Sequence, residues 1–194
     1  MTEQLHHDNE NHMLDSRYSP WIRHLHWLIF ILVACALALI YLRSWSPRGS
    51  TLGADAKWAH MQFGIAILLV MLPRLLVRSQ SGSAPPILPP SPRWQMVIAK
   101  IVHVVLYLLL FATPILGIAT MAWLGKPWNF LGLALPSVPT PNHEFSQQLQ
   151  GIHETLGHVL MYLAGAHAVM ALFHHFFQRD NTLKRMLPPV RAEV

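Results

Sequence analysis

The chain has 194 residues, of which 53% are hydrophobic and only 12% charged. That is about half the charge of an average soluble domain, and the apolar residues gather into four long runs, which excludes a soluble fold and indicates an integral membrane protein. The net charge of +5 reads as the Lys/Arg bias of cytoplasmic loops and not as a nucleic-acid surface.

Residues 1–16 are polar and hold His6, His7 and His12. The stretch HHDNENH offers loose metal ligands, but its composition is that of a disordered tail. The first apolar run is too long for a cleavable signal peptide and lacks a small-residue cleavage site. Span 1 is expected at Ile22–Leu42, span 2 at Trp58–Val77, span 3 at Met96–Trp123 and span 4 at Ile152–Phe177. The fold class is therefore an all-α four-helix transmembrane bundle, forming one domain over residues 17–188. A Pro-rich connector, SGSAPPILPPSPR, joins spans 2 and 3 and reads as extended. The longest connection, Leu124–Gln150, joins spans 3 and 4, and residues 189–194 form a C-terminal tail. Cys35 is the single cysteine, so no internal disulfide is available.

Lys and Arg set the orientation. Ten of the fourteen lie in or beside the N-terminal stretch, the Pro-rich connector and the C-terminal tail, and four lie in the other two loops. The positive-inside rule then puts both termini in the cytoplasm.

Span 4 carries five histidines: His153, His158, His167, His174 and His175. An ionisable group inside a membrane is costly and points to function. His153 and His167 are 14 residues apart, which places them on one helix face about 21 Å from each other along the axis. With the expected topology, His26 of span 1 matches His167 in depth on the cytoplasmic side. His60 of span 2 matches His153 on the outer side. Zinc usually takes four ligands, and two imidazoles per level supply only half of them. Haem iron needs two axial ligands, because the porphyrin fills the other four positions, and an apolar disc suits a bundle interior. Gly64, Gly157, Gly165 and Ala164 are small residues suited to lining such slots, although small residues also serve plain helix packing. A lone histidine in a span is often a satisfied core group, but four at paired depths favour haem. His158 lies about 140° round the helix from His153 and is expected on another face. His174 and His175 are explained by the interface. His103, at the start of span 3, reads as an interfacial polar residue or a contact to a propionate or quinone.

Several stretches carry a family resemblance: RHLHWLIF, WAHMQFGI, APPILPPSPR, HVVLYLLLFATPILG, GKPWNFLGLALP, HETLGHVLMYLAGAH and RDNTLKRMLP. Together they cover nearly everything from Tyr18 to Pro188, and the chain resembles the bacterial cytochrome b561 family, its superoxide oxidase members most closely. That resemblance implies two b haems in a multi-pass protein of the bacterial inner membrane. It implies iron ligands at His26, His60, His153 and His167, and electron exchange with ubiquinone.

With two histidines on each iron, no position is open for oxygen, and the haems act as electron carriers. The superoxide oxidase reading is that superoxide gives electrons to the outer haem and ubiquinone receives them. An anion is steered by positive charge. The outer loops hold Arg43, Arg48, Lys57 and Lys126 against Asp55, Glu144 and Glu154. Lys126 and Arg43 are the candidate steering residues. The alternative reading is an electron-conduit subunit that docks a redox partner protein, a dehydrogenase or hydrogenase, and feeds its electrons to quinone. A metal transporter is a third class, but it would need carboxylates within the membrane, and only Glu154 lies near.

Overall fold

The computed structural model describes residues 17–188. The polar stretch 1–16, with the candidate ligands His6, His7 and His12, and the tail 189–194 lie outside the described residues. Four helices, each long and apolar enough to cross a bilayer, form the structure: α1 (Pro20–Trp45), α2 (Thr51–Gln80), α3 (Arg93–Leu124) and α4 (His143–Phe173). A π turn, His174–Gln178, continues α4, and a short 3₁₀ turn, Lys184–Met186, follows.

Each helix extends past its apolar run, because the residues that start and stop it lie outside that run. Pro20 opens α1 at a position where a missing N–H costs nothing. The Ser50 side chain accepts from the Gly53 N–H and starts α2. Asn142 accepts from the Phe145 N–H and starts α4 nine residues before the apolar run. Gly125 ends α3 in the left-handed conformation, φ 71°. The expected loop 43–57 therefore shrinks to five residues, 46–50. Pro73 and Pro114 sit inside α2 and α3 without ending them, as neighbouring helices allow in a membrane.

α1 pairs with α2 and α3 with α4, as two antiparallel hairpins, and α2 meets α3 along a thinner seam. The buried apolar cluster lies in the first hairpin: Ile29 and Ala36 of α1 against Ile67 and Met71 of α2. Tyr107, Leu110 and Phe111 of α3 pack onto it. Most other large apolar side chains face outward, which in water would be untenable and in lipid is expected.

Each end of the bundle is closed by hydrogen bonds. At the far end, the α3–α4 connection forms a hairpin, β1 (Asn129–Phe130) with β2 (Leu133–Ala134). Leu131 and Gly132 both take positive φ at its turn, 49° and 86°, as a two-residue turn of that hand requires. Buried Gln62 of α2 holds it, donating to the Asn129 carbonyl at 3.0 Å and accepting from the Leu131 N–H at 2.9 Å. At the end that carries the termini, the chain after α4 folds back as a clasp. The Asn181 N–H donates to the Leu88 carbonyl at 3.0 Å, and its side chain accepts from the Leu88 N–H at 2.8 Å. Trp27 and Arg23 of α1 donate to the carbonyls of Met186 and Leu187, each at 2.8 Å. The stretch RDNTLKRMLP thus ties the Pro-rich connector to the start of α1.

Candidate functional site

The four intramembrane histidines meet in two pairs. The His26 and His167 rings lie with centroids 6.4 Å apart and planes at 82°. The His60 and His153 rings lie 6.1 Å apart at 84°. The pairs sit at opposite ends of the 14-residue step along α4. Two imidazoles bound on opposite sides of one metal, with bonds of about 2.0 Å, have centroids about 6.3 Å apart. Both separations match that value. Among the described residues no group of three or more His, Cys, Asp or Glu gathers to hold an ion of its own. Two nitrogen donors per level suit an iron whose other four positions are already filled.

Neighbouring helices fix the ring orientation at the His60/His153 level. His60 Nδ1 lies 2.8 Å from the Ala36 carbonyl of α1, and His153 Nδ1 lies 2.8 Å from the Thr113 carbonyl of α3. A carbonyl only accepts, so each Nδ1 carries the proton and each Nε2 is left with its lone pair free. That is the second-shell arrangement typical of metal-binding histidine. A cavity of about 430 Å³ opens between the two rings. Gly64 and Gly157 line it, and a β-carbon at either would meet nothing within 4 Å. Gly117 of α3 has a different part. A β-carbon there would lie 3.1 Å from His153 Cε1, so the glycine makes room for the ring itself.

The His26/His167 level is built differently. The Arg74 guanidinium donates to His26 Nδ1 at 3.3 Å and to the Ile22 carbonyl at 3.2 Å, and lies over the Tyr107 ring. A guanidinium only donates, so the neutral His26 ring keeps its proton on Nε2 in this arrangement. Binding iron through Nε2 requires Arg74 to withdraw. The His103 ring stands 5.2 Å from that of His167, too close for a metal between them. Its Nδ1 bonds its own helix at the Ala99 carbonyl, 2.6 Å. His103 is thus a neighbour of His167 rather than only an interfacial group. Gly165 is exposed and does not line this level; it sits about 200° round the helix from His167.

The remaining candidates separate. Arg43 and Lys57 line the cavity, together with Gln150 and Glu154. Lys126 is exposed and lies outside the lining. His158 is exposed and still lines the cavity. His174 pairs with Asp180 at 2.5 Å. Sequence reasoning missed Gly117, Thr113 and Arg74. Arg74 carried a signal, since an arginine within a span invites a functional reading. Gly117 carried one too: it stands 14 residues from His103, the step that separates His153 from His167 on the helix packed against it.

The profile of the prokaryotic cytochrome b561 family matches residues 17–189. The chain is 42% identical over 173 residues to cytochrome b561 homolog 1 of Escherichia coli, covering 89% of this chain and 98% of the relative. It is 35% identical over 179 residues to the probable superoxide oxidase CybB of Yersinia pestis, covering 92% of this chain and 100% of the relative. It is 31% identical over 179 residues to cytochrome b561 homolog 2 of Escherichia coli, covering 88% and 91%. Membership implies haem b and makes this a multi-pass membrane protein of the electron-transfer type. The chain belongs to the prokaryotic cytochrome b561 family.

Proposed function

We propose that the chain holds two b haems, one between His26 and His167 and one between His60 and His153, and uses them to oxidise superoxide to oxygen and reduce ubiquinone. The observation that carries this reading is the pair of metal-spanning ring separations, stacked along one face of α4. Likeness to a protein named a probable superoxide oxidase supports the choice of donor. The charge count supports both termini in the cytoplasm and the His60/His153 level on the opposite side, and the family supports placement in the bacterial inner membrane.

Haem, when bound, would supply a one-electron carrier, and two histidine ligands would leave it no position for oxygen. The protein residues do the rest. The carbonyls of Ala36 and Thr113 hold two imidazoles in the tautomer that binds metal. Arg43 and Lys57, at the cavity lining, attract an anion toward that level. The overall reaction balances as two superoxide anions losing one electron each and leaving as oxygen, while ubiquinone takes both electrons and two protons to become ubiquinol.

The test is reduction of the purified protein by superoxide, with and without ubiquinone. The reading expects haem reduction by superoxide, and reoxidation when quinone is added. A protein with both haems that superoxide does not reduce would favour the electron-conduit alternative, with a dehydrogenase or hydrogenase as donor.

A further inference from the structure

Among the described residues, the buried charged groups at the terminus end are two arginines, Arg23 and Arg185, and one carboxylate, Asp180. Arg23 and Arg185 are 9% and 6% exposed, and the Nε of each is buried without a hydrogen-bond partner among the described residues. Arg17, which precedes Tyr18, has a buried Nη1 with no partner among the described residues. Arg23 and Arg185 are both tied in by the clasp, and Arg17 adjoins Tyr18 in the chain. The Arg23 guanidinium donates to the Leu187 carbonyl at 2.8 Å. Arg185 donates to the Tyr18 hydroxyl at 3.2 Å, and its carbonyl accepts from the Tyr18 N–H at 3.2 Å. The nearby carboxylate, Asp180, is taken up by His174 and the Thr182 N–H. A buried cation without a counter-ion is expensive, and guanidinium N–H groups left free this way suit the planar oxygens of a carboxylate.

Position narrows the occupant. Arg23 precedes His26 by three residues, so the two share a face of α1 one turn apart. Arg185 precedes Met186, whose carbonyl accepts from the indole N–H of Trp27, the residue after His26. Both arginines are buried and so shielded from the surface, where a lipid phosphate would sit.

We infer that Arg23 and Arg185, together with Arg17, form an anion cradle that takes the propionate carboxylates of the haem held between His26 and His167. The cradle rests on that haem assignment. It also gives the C-terminal clasp a purpose, since Arg185 reaches the site only while the chain after α4 is folded back.

The experiment is a redox titration of the purified protein with Arg23→Gln and Arg185→Gln. Removing a cation beside the carboxylates favours the ferric state. The midpoint of the His26/His167 haem should fall, by up to about tenfold in its reduction constant, or about 59 mV for one electron. Loss of that haem alone also supports the cradle. The second haem of the same molecule reports folding and should not move. The exposed Lys184→Gln, on the same segment, should shift neither. If both Gln variants lose both haems, Arg17→Gln, at a half-buried position, decides by the same shift. An unchanged midpoint in a variant that keeps both haems overturns the cradle. So does loss of tightly bound phospholipid in place of a redox shift, which would assign the arginines to a lipid phosphate. Failure of the haem assignment itself looks different: His26→Ala would then leave both haems in place.

Discussion

Gly117 and His153 are fitted to each other across the α3–α4 seam. The imidazole occupies the space that a side chain at 117 would need, with a β-carbon there 3.1 Å from Cε1 and 3.3 Å from Nδ1. Four residues earlier on α3, the Thr113 carbonyl accepts a hydrogen bond from Nδ1. One helix face therefore sets both the position and the tautomer of the ring, although α3 carries none of the four assigned ligands.

Gly117→Ala should therefore displace His153. Overpacking of this kind costs about 1–3 kcal/mol, or roughly ten- to a hundredfold in affinity for the haem at that level. Absorption spectra of the purified variant should show one haem weakened or lost and the other intact. Two unperturbed haems would show that the ring has room to move.

The pairing makes a sharper set of expectations. His60→Ala and His153→Ala should each remove one haem, and His26→Ala and His167→Ala should each remove the other. His158→Ala should keep both, because its side chain is exposed at the cavity edge. The check is the haem-to-protein ratio with the two absorption envelopes resolved by redox titration.

The clasp depends on Asp180. Burial alone would raise its carboxyl, but hydrogen bonds from His174 and Thr182 outweigh that and hold it below the usual 3.8. A depressed carboxyl adds stability that is present above its ordinary value and lost as pH falls through the lowered one. Asp180→Asn should cost about 1–3 kcal/mol near neutral pH, as expected for a buried charged hydrogen bond. The effect should shrink below pH 3.8, where the unaltered protein loses the same contribution. Thermal loss of haem absorbance, measured across pH, reads both.

Steering makes a prediction about rate. Reduction by superoxide should slow as ionic strength rises, since the Debye length is about 10 Å at 0.1 M. Arg43→Glu, at the cavity lining, should slow it more than Lys126→Glu outside the lining, and the remote Lys184→Glu should leave it unchanged. With so few charges, the effect belongs in the lower part of the range of about 10–10³ for steering. Rates that ignore salt and are equal in all three variants would remove steering from the account.

Four helices and the two histidine pairs were legible in the sequence, because membrane length and helical period are strong constraints. Hydropathy marks where the chain meets lipid, so the helix ends at Pro20, Thr51 and His143 escaped it; the first is set by the proline itself and the other two by polar caps outside the apolar runs. The 14-residue step from His153 to His167 was readable because one helix fixes its own geometry. The seat at Gly117 and the Thr113 carbonyl were not, since they depend on the register between α3 and α4. His103 read as interfacial because the apolar run of span 3 begins at Met96, whereas α3 packs it against His167. Arg74 and Arg23 were counted as loop charges, although Arg74 donates to His26 and Arg23 is buried.

The most direct measurement of the two-haem assignment is an iron count with electron paramagnetic resonance on the oxidised, purified protein. Two irons per chain are expected, both low-spin and six-coordinate. The ring planes cross at 82° and 84°, and rings that kept those angles on iron would leave the orbitals facing them nearly equal in energy. Both signals should therefore show strong g anisotropy. One iron per chain, or a high-spin signal with an open coordination position, would contradict the assignment.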